Sequence, residues 1–342
     1  MKKILACSFA VILLALFTIA HAQTTEASKV KWPGAMSHAV LQPGSAVHNI
    51  GSAVSTVLTK YLPTTFKTAA FTTPIRLHDA VDRGIAAMGN DTDHTSGYGW
   101  IGKKPLFERR MKNERLMTGE VIFDSGWGAR GDAGITSVTQ MKGLRLCWGY
   151  KFPNMVDYQN ALLRGLGWTK NDFKLVNVVS PTEAVRALIE NRADVGIYSP
   201  MMGIGPEAEA KIGIRVLNVP TPKENPGLWT EIRKTHAGYK PHVWTAGLPG
   251  VPKDTTVIGG FGYITVNKDV PDELVYQMVK TLWEHVDELQ AAHPFLRTWT
   301  HKTMALENIV VPYHPGTIRF FKDKGVWTER MEKNHNALLK MN

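Results

Sequence analysis

Two stretches of this sequence, far apart along the chain, share one local grammar, and any fold must accommodate both. In the first, Lys31–Leu41 (KWPGAMSHAVL) runs into Gln42–Tyr61 (QPGSAVHNIGSAVSTVLTKY), where a Pro-Gly-Ser turn delivers Ser45 to a helix start. Apolar residues at Ala46, Val47, Ile50, Ala53, Val54, Val57, Leu58 and Tyr61 keep a period near 3.6, which marks a helix buried along one face. Ser45 is a suitable N-cap, because its hydroxyl accepts from an orphan amide of the first turn. In the second stretch, Leu144–Trp148 is a short strand ending at Gly149–Asn154 (GYKFPN). Asn154 is placed to cap a helix whose Met155, Tyr158, Ala161, Leu162 and Leu166 share a face. Strand, glycine-bearing loop and capped helix are the working unit of an α/β lobe, and two copies predict two lobes.

The segments between these units fit the same scheme. Phe66–Phe71 reads as a strand, Thr73-Pro74 as a cap with proline at the first helical position, and Ile85–Met88 as a short strand. Asn90–Gly102 reads as a loop and Leu116–Ser125 as a strand. Phe173–Val179 and Asp194–Tyr198 flank a helix that starts on the capping-box spacing Ser180-Pro181-Thr182-Glu183. Thr255–Asn267 (TTVIGGFGYITVN) has the β-branched content of a long strand, and its glycines predict a bulge, a close backbone approach or a hinge between lobes. Pro271–Leu289 reads as one amphipathic helix, with shorter helices around Ala305 and Gly316–Asp323.

The first residues, MKKILACSFAVILLALFTIAHAQ, have a Lys2-Lys3 n-region, an apolar h-region and an Ala20-His21-Ala22 cleavage site. That is the pattern of a secretory signal peptide, so residues 1–22 are expected to be removed and the rest exported to the periplasm. Without the leader only Cys147 remains, so packing rather than an internal disulfide must stabilise the chain. The net charge of +10 admits anionic partners, but Lys and Arg are dispersed, which favours attraction of small anions over nucleic-acid binding.

Two motifs invite a different chemistry and fail on context. Gly126–Gly131 (GWGARG) is a literal G-x-G-x-x-G, yet no long helix opens behind it and no ribose-binding acid follows, so a nucleotide site is rejected. Asp91, Asp93 and His94 are metal-ligand types, but adjacent residues seldom converge on one ion without further ligands, and a turn is the expectation. Neither a metal nor a cofactor is expected.

Several short motifs, taken in order, resemble the TAXI family of substrate-binding proteins of TRAP transporters. They are Pro43-Gly44-Ser45 with Gly51, Arg83-Gly84 with Asn90-Asp91, and Ala133-Gly134-Ile135 through Met141-Lys142-Gly143. Glu183-Ala184 through Arg192-Ala193-Asp194, then Asp272–Tyr276 and His314-Pro315-Gly316, complete the set. The resemblance implies a type II periplasmic-binding-protein fold, two α/β lobes joined by crossing strands, closing on a small organic anion for a TRAP-type permease. Lobe 1 would comprise residues 23–129 and 255–342, and lobe 2 residues 130–254. The family's pocket loops match Ser45, Ala46 and Asn49, Thr72 and Thr73, Asn90, Asp91 and Thr92, and the loop at Gly149–Asn154 with Tyr150, Lys151, Phe152, Pro153 and Asn154. They also match Tyr198, Ser199 and Pro200. Where the family carries a Pro-Gly-Ser-Gly-Thr run after Gly149, this chain has aromatic rings and one amine instead.

Residue chemistry adds His48, Trp127 and Arg130 to the expected ligand-binding set, Arg130 or Lys151 as a cation for a carboxylate and Trp127 with Tyr150, Phe152 and Tyr198 as apolar walls. Helix starts at Ser45 and Asn154 would each favour an anion by up to about 1 kcal/mol. The competing expectation is a hydrolase or lyase on the same fold. His48 at a spacing of three from Ser45 would supply its general base, but no G-x-S-x-G, H-E-x-x-H or CxxC accompanies it.

Overall fold

The computed structural model describes residues 31–341 apart from 44, 105 and 237; the leader lies outside these residues. The first strand, β1 (Ala35–Leu41), leads into helix α1 (Ala46–Tyr61), and β2 (Thr65–Phe71) into α2 (Pro74–Asp82). Strand β3 (Met88–Thr92) passes directly into α3 (Asp93–Ile101), and the long strand β4 (Glu114–Ala129) follows. The second unit has β5 (Arg145–Trp148), α4 (Pro153–Gly165), β6 (Lys174–Asn177), α5 (Pro181–Ile189) and β7 (Val195–Tyr198). After α6 (Gly205–Ile212), β8 (Arg215–Val216), α7 (Pro226–Thr235) and β9 (Lys240–Trp244), the second long strand β10 (Thr255–Asn267) returns the chain to the first sheet. Helices α8 (Asp272–Glu284), α9 (Val286–Ala292), α10 (His301–Met304), α11 (Pro315–Asp323) and α12 (Glu329–Leu339) complete the described residues.

The pairing makes the repeated grammar explicit. In the first sheet β1 lies between β2 and β3, parallel to both, and β10 runs antiparallel beside β3. In the second, β5 lies between β6 and β7, parallel to both, and β4 runs antiparallel beside β7. Each half is thus three parallel strands in the order second-first-third, closed by one antiparallel strand. Those two closing strands pair with each other from Ile258↔Ser125 to Asn267↔Glu114. A parallel triple buried under helices on both faces is the α/β solution to covering a sheet.

The local signals explain why the elements start where they do. Ser45 caps α1 by accepting from the His48 amide at 3.1 Å. Helix α1 buries Val47, Ile50, Val54, Val57 and Leu58, each burial being worth about 1.5–3 kcal/mol. Thr73 caps α2 and Ser180 caps α5, each followed by proline in the first turn. Glu183 completes the α5 start by accepting from the Val179 amide at 2.7 Å, one residue outside a standard capping box.

Four expectations are corrected. Asn90–Gly102 is the end of β3 and the whole of α3, because Thr92 caps the helix, Asp93 sits in its first turn and Gly102 closes it in the left-handed conformation at φ 65°. Residues 93–100 are all buried, so α3 has no polar face and its sequence shows no helical period. The strand expected over Leu116–Ser125 runs on through Gly126–Ala129, which pairs with both β7 and β8, and a Cβ on Gly128 would stand 2.8 Å from that of Tyr198. The third strand begins at Met88, and Ile85 is exposed. The helix expected over 271–289 breaks at His285, whose φ −120° and ψ 31° separate α8 from α9.

The core falls into two large clusters. One, centred on Trp127, Leu146, Leu162, Ile197 and Trp229, packs the second sheet; the other, centred on Ile50, Met117, Tyr263, Met278 and Phe321, packs the first. Among the described residues no helix is long and apolar enough to cross a membrane. Gly119 sits in β4 where a Cβ would collide with the Thr303 carbonyl oxygen, a backbone atom. Gly119→Ala is therefore expected to destabilise the protein by about 1–3 kcal/mol, read as a lower urea midpoint at unchanged slope.

Candidate functional site

Where β4 and β10 cross between the sheets, a small pocket opens with a volume of about 30 Å³. From the first half it takes Thr92, Asp93 and His94, the cap and first turn of α3. From the second it takes Asn154, Met155 and Tyr158 of α4, with Tyr239. Strand β10 supplies Ile258, Gly260 and Phe261 as the shared wall.

The same α3 turn ties the halves together. His94 Nδ1 lies 2.6 Å from the Tyr239 hydroxyl, and Asp93 Oδ2 lies 2.9 Å from His236 Nε2. One turn on, Tyr98 bonds the Asp157 carboxylate, to which Lys103 also donates at 3.0 Å. Trp127 stacks on Tyr158 with ring centroids 4.5 Å apart, and Tyr158 meets Tyr239 edge-on at 5.9 Å. Gly238 sits where a Cβ would stand 2.7 Å from Asp93 Oδ2, so the loop before Tyr239 can come this close only without a side chain.

Behind the pocket lies a buried charge relay. His78 is held between Glu114, 2.9 and 3.0 Å from Nδ1, and Asp91, 3.3 Å from Nε2. Burial opposes the imidazolium, but the two carboxylates outweigh it and raise its pKa to about 10. Burial pushes Glu120 well above the ordinary carboxyl value, and Asp91 nearby adds to the shift. Glu120 fits because Gly262 leaves it room: a Cβ there would stand 2.5 Å from Oε2. Burial, with His236 beside it, lowers His94 to about 3, so that ring is neutral at physiological pH.

Of the residues expected from sequence to bind ligand, Thr92 and Asn154 line the pocket. Trp127 stands one layer behind, wholly buried. Asn90 is buried and donates to the Val47 carbonyl at 3.0 Å, and Asp91 accepts from the Thr92 amide at 2.7 Å while facing His78. Ser45, Ala46 and His48 at the α1 start are half-buried, Asn49 and Thr72 exposed, and Thr73 half-buried; none of them is in the pocket wall. Tyr150 is buried with its hydroxyl accepting from the Ile197 amide at 3.0 Å, and Tyr198 donates to the Pro249 carbonyl at 2.9 Å. Lys151 is exposed, Phe152 and Ser199 are half-buried, and Pro200 is buried. Arg130 donates to Asp132 at 2.8 Å and to the Leu188 carbonyl at 2.7 Å, both within the second half.

Asn154 is not the cap it was expected to be. Pro153 occupies the first turn and Phe152 the cap position without a side-chain bond, which places Asn154 inside the helix with Oδ1 buried and unpartnered. Sequence reasoning named Asp93 and His94 only as metal-ligand types in a turn; among the described residues no metal-binding group forms, because each faces its own partner. It also missed Tyr239, Ile258, Gly260 and Phe261. The glycines of β10 were the available signal, since they mark where backbone and carboxylates come close.

The buried histidines set opposite pH limbs. His38, 2.9 Å from the Ser55 hydroxyl, and His94 are both lowered to about 3, mainly by burial. Their contribution is complete above pH 6.5 and is lost as pH falls from there towards 3. His78 is raised, so its contribution is complete below pH 6.5 and is lost as pH rises through about 10. Thermal unfolding across this range should show a maximum near pH 6.5 with a limb on each side. His78→Ala should remove the alkaline limb and cost about 3–5 kcal/mol at pH 7, because it leaves two buried carboxylates uncompensated.

Known proteins of the same architecture cover nearly the whole chain. MatC from Rhodopseudomonas palustris, solved with bound malate, superposes with a TM-score of 0.55 at 13% identity, covering 90% of this chain and 100% of that one. A structure described as a periplasmic transporter gives 0.54 at 12% identity, with 91% and 99% covered. A TctC solute-binding protein from Polaromonas, solved without ligand, gives 0.53 at 14%, again with 91% and 99% covered. At such identities the likeness establishes the fold, that of periplasmic binding proteins. Residues 43–325 match the model of the NMT1-like family, a span that holds the pocket and strands β2 to β10. This chain belongs to the NMT1-like family.

Proposed function

We propose that the protein is an exported, non-enzymatic receptor that captures a small organic anion, a carboxylate being the leading class, and delivers it to a TRAP-type permease. The observation that carries this reading is the pocket at the crossing of β4 and β10, walled by α3 from one half and α4 from the other. A ligand held there touches both halves, so its binding favours the closed arrangement in proportion to its differential affinity. The first turn of α4 supplies peptide N–H groups and a partial positive charge for an oxyanion, and the basic net charge draws anions in. The leader pattern of residues 1–22 accounts for export to the periplasm, and the ordered TAXI-like motifs account for the TRAP partner. Residues 23–129 with 255–342 form one lobe in this reading and 130–254 the other.

The enzymatic alternative loses its support in the geometry. His48 is half-buried at the α1 start, its amide donating to Ser45, and the acid-bearing wall of the pocket is built from other residues. Thermal-shift and tryptophan-fluorescence titration against a library of carboxylates, sulfonates and phosphonates should give saturable binding by at least one. Small-angle scattering should then show compaction, and the ligand should be recovered chemically unchanged. Folded protein that responds to none of these anions would refute the proposal.

A further inference from the structure

Away from the β4–β10 joint, Tyr98 and Lys103 of the first half converge on one carboxylate of the second. Asp157 Oδ2, in the second turn of α4, accepts from the Tyr98 hydroxyl and from Lys103 Nζ at 3.0 Å. Lys103 also donates to the Tyr98 hydroxyl, which closes a three-cornered cluster, and His94 Nε2 stands 4.0 Å from the same Asp157 oxygen.

Local structure puts both donors in place. Tyr98 belongs to the last turn of α3, and the left-handed Gly102 folds the chain back so that the Lys103 amide donates to the Tyr98 carbonyl at 3.0 Å. The Lys103 ammonium then lies 3.6 Å from the Tyr98 ring centroid, a cation–π contact that holds it beside the hydroxyl. Burial, with Asp157 as acceptor, pushes the Tyr98 hydroxyl above its ordinary pKa, so it stays a donor.

The position of the cluster separates it from ligand recognition. The bonds from Asp93 to His236 and from His94 to Tyr239 also cross between the halves, but Asp93, His94 and Tyr239 are pocket-wall residues that a ligand meets directly. Tyr98, Lys103 and Asp157 are not in that wall, so they act on a ligand only through the approach of α3 to α4. The side chains of Asp157 and Lys103 are 29% and 39% exposed. Water therefore replaces their bond when the helices part, which keeps the contact modest and reversible.

We propose that Asp157 is a positioning residue for ligand capture: with Tyr98 and Lys103 it forms a latch that draws α3 onto α4 and sets how much of the ligand-free protein is already closed. This rests on the receptor reading of the same pocket and adds that part of the closing free energy comes from the protein itself. Apparent affinity scales with the fraction of molecules in the binding-competent state. A weaker latch thus lowers affinity for every ligand by one factor and leaves their ranking intact.

The test compares intact, leader-free wild type with Asp157→Asn, which keeps the shape and removes the charge, and with Lys103→Met. Without ligand, small-angle scattering of either variant should give a larger radius of gyration than wild type, at an unchanged far-ultraviolet circular dichroism spectrum. In calorimetric titrations with malate, ethanesulfonate and methylphosphonate, every probe that binds wild type should be weakened by the same factor, about fivefold. The double variant should lose little more than Asp157→Asn alone, because both changes break one cluster. Asp157→Glu should recover most of the affinity and of the compactness. Unchanged ligand-free scattering of Asp157→Asn would overturn the latch. A loss confined to one probe class would overturn it as well, since that marks a contact with ligand. Should no probe bind wild type, the anion reading fails, and the ligand-free scattering still decides the latch.

Discussion

The antiparallel pairing of β4 with β10 is the interaction on which the rest of this structure depends. Each half has its own parallel triple, and a parallel sheet of three strands has no way of continuing into a second sheet by itself. The two long strands solve that problem together: β10 closes the first triple beside β3, β4 closes the second beside β7, and the ladder between them joins the halves. Register shifts between Phe261 and Tyr263 and between Ile264 and Thr265 bend that ladder where it passes the pocket.

The glycines of β10 acquire their meaning from the same crossing. Gly260 lies under Asp93 and Gly262 under Glu120, so the strand that joins the halves is also the strand that admits buried carboxylates. A side chain at either position would push those acids off the sheet. The strand is therefore both the joint and a wall of the pocket, and close approach, rather than flexibility, is what glycine supplies here.

Helix α3 plays the complementary part. Its first turn presents Asp93 and His94 to the opposite half, and its later turns pack on Val310, Met111 and Phe107 through Gly97 and Gly99. Buried ion pairs and hydrogen bonds of this kind contribute little net stability, because desolvation offsets most of the Coulomb gain. Their value lies in fixing which arrangement of the two halves is reached. The relay of Glu114, His78 and Asp91 holds β3 at the register that aims α3 across the gap.

By itself the sequence determined the local units: the capped starts of α1, α2 and α5, the full extent of β10, and the repetition that makes two α/β halves. These follow from short-range physics, the period of apolar residues and the hydrogen-bonding needs of helix ends. It also carried the ordered motifs from which a binding-protein fold follows. Helix α3 was illegible because a helix buried all round has no amphipathic period, and β4 was expected to stop at Ser125 because the glycines that follow are as much a turn signal as a mark of close strand packing. Only the tertiary structure decided that Asp93, Asn154, Tyr239 and Gly260, drawn from four separate segments, share one pocket. Chain order says nothing of that meeting, which is fixed by where two long strands cross.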